Sequence, residues 1–135
     1  MNIRKYKEAD EQLLIDLWEE VFPDSSPHNE PSKMLREKLA VDDLIFVAFE
    51  DQKLVGACMA GYDGHRGWLY AVAVAESKRR SGTGSELIKY TMDALKEVGC
   101  EKVNLQIRAT NTKVRAFYES LGFGTEDRLS MGTFL

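Results

Sequence analysis

The stretch "WLYAVAVAESKRRSGTGSEL", residues 68–87, joins three kinds of sequence in one run. It begins with eight apolar residues, as expected of a strand covered on both faces. It ends in a helical segment whose Leu87, Ile88, Thr91, Met92, Leu95 and Val98 share one face as far as Gly99, a left-handed C-cap. Between these lie Arg79, Arg80 and two glycines, Gly82 and Gly84. A strand that enters a helix through such a turn gathers unpaired main-chain N–H groups at one point. The helix dipole adds about half a positive charge there. Glycines keep side chains away from an approaching anion, and arginines give it cationic cover. The plain alternative is a basic surface turn, because a lone GxG is a weak signal. Two phosphate motifs fail on the residues present. A Walker loop ends in Gly-Lys-Ser/Thr, whereas Gly84 is followed by Ser85 and Glu86. The dinucleotide fingerprint needs a third glycine where Leu87 stands, which also counts against a dinucleotide-using oxidoreductase.

Outward from this core the pattern continues in both directions. Towards the N-terminus, "NIRKY" reads as a short strand, and Leu13, Leu14, Leu17, Trp18 and Val21 mark one face of a helix over 10–22. "PDSSPHNEP" is a loop, followed by a short helix carrying Met34, Leu35, Lys38 and Leu39. "DLIFVAFE" and "KLVGACMAGY" are two strands joined at Asp51-Gln52. Towards the C-terminus, "KVNLQIRA" places Val103, Leu105 and Ile107 on one strand face. A helix then carries Val114, Phe117, Tyr118 and Leu121 and stops at Gly122, and two closing strands are expected near Phe123 and Met131. The order predicts one mixed α/β (α+β) domain over 1–135, with a sheet and helices on its faces.

Composition narrows the function. The chain has 135 residues, 44% hydrophobic and 30% charged, with a net charge of −4. That balance argues against nucleic acid as a partner, and the local positive charge suits one small anion. No run is long and apolar enough for a membrane span, and "MNIRKYKEAD" lacks the apolar core of a signal peptide. Cys58 and Cys100 have no CxxC spacing, so neither a disulfide framework nor a metal site is expected, and a reducing, cytoplasmic setting is.

Arg79-x-x-Gly82-x-Gly84 after an apolar strand resembles the acetyl-coenzyme A loop of the GCN5-related N-acetyltransferase (GNAT) superfamily, whose signature is [Arg/Gln]-x-x-Gly-x-[Gly/Ala]. Further on, "NTKVRAFYESLGF" repeats that family's register of Asn111, Tyr118 and Leu121-Gly122-Phe123. The order of elements is similar along the whole chain. "GYDGHRG" and "HNEP" resemble the small bacterial YpeA-like branch.

The resemblance implies an acyl-coenzyme A N-acyltransferase fold, with a mostly antiparallel sheet and one splayed parallel pair. It implies acetyl-coenzyme A as cosubstrate and an amine as acceptor, either a small molecule or a protein N-terminus or lysine. The N–H groups of Arg79, Arg80, Ser81, Gly82, Thr83 and Gly84, with Ser85 adjacent, would cradle the diphosphate. Val72, Ala73 and Val74 would bond the pantetheine arm through their main chain, and Asn111 would hold it too, unless it is simply a helix N-cap. Tyr118 would protonate the departing thiolate, although its spacing also suits a core aromatic. An amine of pKa near 10 must lose a proton before it attacks, a demand of about 4 kcal/mol at neutral pH. No carboxylate stands in 68–75 to take that proton. The acceptor side would be lined by Tyr62, Asp63, His65 and Arg66 of the turn into that strand, and by His28; the plain reading of these is solvated turn residues. A binding module that holds the coenzyme without turnover is the alternative function. A last strand that leaves a sheet edge fits a monomer or a homodimer paired there.

Overall fold

Asp51 and Gln52 both take positive φ, 50° and 66°, as the tightest hairpin turns require. They join β2 (Ile45–Glu50) to β3 (Lys53–Tyr62) at the centre of the sheet. The structure, a computed structural model, describes residues 1–24 and 26–135; Ser25, in the predicted loop, lies outside the described residues. The chain divides into two compact units, 1–105 and 106–135.

The first unit carries one sheet in the order β1-β2-β3-β4-β5, completed by β1 (Asn2–Lys5), β4 (Gly67–Val74) and β5 (Val103–Asn104). The first three pairings are antiparallel and the last is parallel. That parallel pairing consists of Gly67 opposite Val103 and Trp68 opposite Asn104, so β4 runs on through 69–74 without it. Glycine is required at the head of β4, because a Cβ at Gly67 would meet the Cys100 Sγ at 2.6 Å.

Helices α1 (Glu11–Val21) and α3 (Thr83–Glu97) cover opposite faces. Alternation along β3 shows it: a Cβ at Gly56 would touch Leu87 and Thr83 of α3 at 3.4 Å, whereas Ala57 packs in a cluster with Leu14, Leu17 and Trp18 of α1. Ile45, Val47 and Ala73 join the α1 side together with Leu35 of α2 (Pro31–Leu39). Phe46 faces the other way and meets the Tyr90 ring edge-on at 5.8 Å. Each such fully buried side chain contributes about 1.5–3 kcal/mol. Arg4 clamps β1 to the entrance of α1 with two bonds to the Asp10 carboxylate, at 2.7 and 2.9 Å. The Lys7 N–H adds a third, and Arg4 foremost holds this carboxyl below its usual range.

Three expectations are corrected. The run 68–75 is not covered on both faces, since Tyr70 is 47% exposed and Trp68 only partly buried. β5 is two residues long although "KVNLQIRA" alternates throughout, because β4 offers it a partner only at 67–68. In the second unit, no strand follows α4 (Thr112–Ser120) among the described residues. Leu129 and Met131 are 93% and 92% exposed, so their alternation has no buried face to report. The Gln106 amide reaches the Ser130 hydroxyl, but that contact runs between side chains and forms no ladder. Within this unit Tyr118 is buried, with Phe117 and Phe123 meeting its ring edge-on at 5.0 and 5.5 Å.

Candidate active site

The exit of β4 is where the sequence places its anion cradle. A 3-10 turn, Glu76–Lys78, leads out of the strand and is tied to the end of β2 by the Lys78 ammonium on the Glu50 carboxylate at 2.7 Å. Arg80 then takes φ 64° and Gly82 φ 88°, one residue apart, and α3 begins at Thr83. Alternate left-handed residues turn successive N–H groups towards one side, the geometry of an anion-binding nest. No side chain caps α3. The first hydrogen bond of its ladder is Glu86 N–H to the Gly82 carbonyl, so the N–H groups of Thr83, Gly84 and Ser85 have no acceptor within the helix. Ser81, the residue best placed to cap, directs its hydroxyl to the Lys78 carbonyl and the Thr83 hydroxyl instead. Arg80 is exposed, while Arg79 folds back and donates from Nε to the Val74 carbonyl at 3.3 Å. Gly82 therefore serves the turn through its φ, and Gly84 lies inside the first turn of the helix.

Along β4 the register slips. Met59 pairs with Tyr70 and Ala57 with Ala73, so Ala71 and Val72 together face Cys58. This is a β-bulge, and Ala71 pays for it with φ 46°, rare for a residue that has a Cβ. The buried Trp18 of α1 donates from Nε1 to the Ala71 carbonyl at 3.0 Å. Sequence reading missed both features. On an unbroken apolar run no alternation exists for a bulge to interrupt, and Trp18 read as one more core residue.

The entrance of β4 behaves differently. The Asp63 Oδ1 accepts the N–H groups of His65 and Arg66, both at 2.8 Å, and Gly64 completes the turn at φ 92°. These donors hold the Asp63 carboxyl below its usual range. His65 is exposed, Arg66 is half-buried, and the Tyr62 hydroxyl donates to the Gly99 carbonyl at 3.1 Å. Nearby, the Tyr70 ring stacks on Trp68 with centroids 6.4 Å apart. Desolvation, then the Asp63 charge, raises the Tyr70 phenol pKa. His28 is exposed in a 3-10 turn, Pro27–Asn29, that precedes α2; there Glu30 caps the helix by accepting the Ser32 and Lys33 N–H groups. In the second unit Asn111 caps α4, its side-chain oxygen accepting the Val114 N–H at 3.2 Å, which leaves its amide NH₂ as the donor. The Cys58 thiol is pushed up to about 12 by burial and is inert at neutral pH.

The site thus sits on a mostly antiparallel sheet ending in a short parallel pair, with a helix start that no side chain caps after the fourth strand. Comparison with known proteins gives the class. The profile of the acetyltransferase (GNAT) family matches residues 11–123. An acetyltransferase of Pectobacterium atrosepticum is 36% identical over 133 residues, which are 98% of this chain and 94% of the relative. Among solved structures, an aminoglycoside 6'-N-acetyltransferase from Acinetobacter haemolyticus superposes with a TM-score of 0.81 at 21% identity, over 100% of this chain and 99% of the other. The PaiA N-acetyltransferase of Thermoplasma acidophilum, in complex with coenzyme A, superposes with a TM-score of 0.81 at 21% identity, over 94% and 91%. The chain belongs to the GNAT acetyltransferase family. It is an acetyl-coenzyme A-dependent N-acetyltransferase.

Proposed function

We propose that the N–H groups from Arg79 to Ser85 hold the diphosphate of acetyl-coenzyme A, that the main chain of Val72 to Val74 lines its arm, and that a primary amine attacks the thioester directly. The observation that carries this reading is the start of α3, where three N–H groups lack an acceptor within the helix and left-handed residues at 80 and 82 turn the chain around one point. A free anion completes such a site without any side-chain movement. Among the described residues no helix is long and apolar enough to cross a membrane. Two free, buried thiols suit a reducing compartment such as the cytoplasm.

In this scheme the amine arrives neutral. Its nitrogen bonds the thioester carbon, the C–S bond breaks, and Tyr118 gives its proton to the departing thiolate and regains one from solvent. The Asn111 amide NH₂ is the donor available to the coenzyme's arm, since its oxygen is engaged in capping. Asp63 is given no proton to carry in this scheme, because its Oδ1 is committed to the two main-chain donors that shape the turn. Removal of the amine's proton falls to water, and Tyr70 with Trp68 provides an apolar wall for the body of the acceptor.

The test is thiol release from acetyl-coenzyme A with a panel of small amines and peptides, comparing wild type with Tyr118→Phe. A thiol of pKa about 8.5 leaves fairly well unaided, so kcat should fall about a hundredfold, the low end for an acid catalyst. KM for acetyl-coenzyme A should be unchanged. Tight coenzyme binding with no turnover on any amine would instead mark a binding module.

A further inference from the structure

Trp18 is wholly buried in the core of α1, yet it spends its only hydrogen-bond donor on a strand rather than on its own helix. The acceptor is the carbonyl of Ala71, the one residue of β4 with positive φ. An L-residue in that conformation costs about 1–3 kcal/mol and persists only where its surroundings over-determine it. Two constraints do so here. The register of β3 forces two residues, Ala71 and Val72, opposite Cys58, and the indole fixes which way the peptide between them faces.

That second constraint has a covalent consequence. The Ala71 carbonyl and the Val72 N–H belong to the same planar trans peptide and point in opposite directions. With the carbonyl held against α1, the Val72 N–H is directed away from α1. Without the indole donor the plane is free to rotate about ψ of Ala71 and φ of Val72, which would aim the N–H elsewhere.

We propose that Trp18 is a positioning residue for acetyl transfer: through the 71–72 peptide its indole N–H aims the Val72 N–H at the thioester carbonyl, where negative charge develops as the amine attacks. This rests on the reading of β4 as the strand that receives the coenzyme's arm. Trp18 touches no substrate. It sets the orientation of a donor whose benefit appears only in the transition state, so its loss lowers kcat and spares coenzyme binding.

The experiment replaces Trp18 with 3-benzothienylalanine, which keeps the indole's shape and exchanges the N–H for sulfur, and in parallel makes Trp18→Phe. Wild type is assayed first with acetyl-coenzyme A and the amine panel; absence of turnover there overturns the functional reading itself and this inference with it. Given turnover, the expected result for the benzothienyl protein is a fall in kcat of about ten- to a hundredfold. Its Kd for coenzyme A, measured by calorimetry, should stay within about twofold, because coenzyme A carries no thioester carbonyl. Trp18→Phe should show the same loss of kcat plus a lower thermal midpoint from lost packing. An unchanged kcat in the benzothienyl protein would overturn the proposal. So would a matched loss of kcat and coenzyme affinity, which would mean that the indole only keeps the strand in place.

Discussion

The two ends of β4 are turns built from the same parts and left in opposite states. Each has a left-handed glycine, Gly64 at φ 92° and Gly82 at φ 88°, and neither glycine has an atom within 4 Å of where a Cβ would stand. At the entrance the Asp63 carboxylate consumes two of the turn's N–H donors. At the exit Ser81 turns its hydroxyl elsewhere, and the first N–H groups of α3 stay without a side-chain cap. A turn that satisfies its own donors is finished; one that leaves them aligned around a point has donors to offer an anion. The difference lies in hydrogen-bond completion, which glycine content alone does not reveal.

The matched glycines offer the sharpest way to break this comparison. Valine at either position costs about 1–2 kcal/mol of stability through φ alone, visible as a lower denaturation midpoint. Only Gly82→Val should also weaken coenzyme A binding, by about a hundredfold, as expected when two charge-assisted hydrogen bonds worth roughly 1.5 kcal/mol each are lost. Gly64→Val should leave the Kd unchanged in the same calorimetric titration. Equal effects at the two sites would erase the distinction drawn here.

A smaller effect comes from the finished turn. Asp63→Ala should lower the thermal midpoint slightly and leave both Kd and the pH–rate profile as they are, since the proposed scheme gives this carboxylate no proton to carry. Its folded pKa is depressed, so its stabilisation is present above the ordinary carboxylate pKa of about 3.9 and is lost as pH falls through the lower folded value. The gap in thermal midpoint between wild type and Asp63→Ala should therefore be full at neutral pH and close below about pH 4.

Much of the fold is legible in the sequence, and the reasons are local. Glycine at 82, 99 and 122 follows or precedes a periodic helical run, and each takes the positive φ that such a position needs. Asp51-Gln52 sits between two apolar segments and turns as a hairpin must. Asn111 stands before a helical run and caps it, a role its residue type announces. What stayed hidden depends on pairing across the chain. The bulge at Ala71 and Val72 is a mismatch between two strands, and neither strand records it alone. The Trp18 bond spans residues 18 and 71, and only the fold brings them together. The closing strands near Phe123 and Met131 failed for the converse reason. Their residues alternate, but alternation is evidence of a strand only where one face is buried, and Leu129 and Met131 are not.

The anion cradle itself is tested most directly by following backbone amide resonances during titration. With coenzyme A, the largest shifts should fall on Gly82, Thr83, Gly84 and Ser85, and with pantetheine, which has the same arm but no diphosphate, those shifts should vanish. Shifts at these four amides that are the same with both ligands, or absent with both while binding is saturated, would contradict the account.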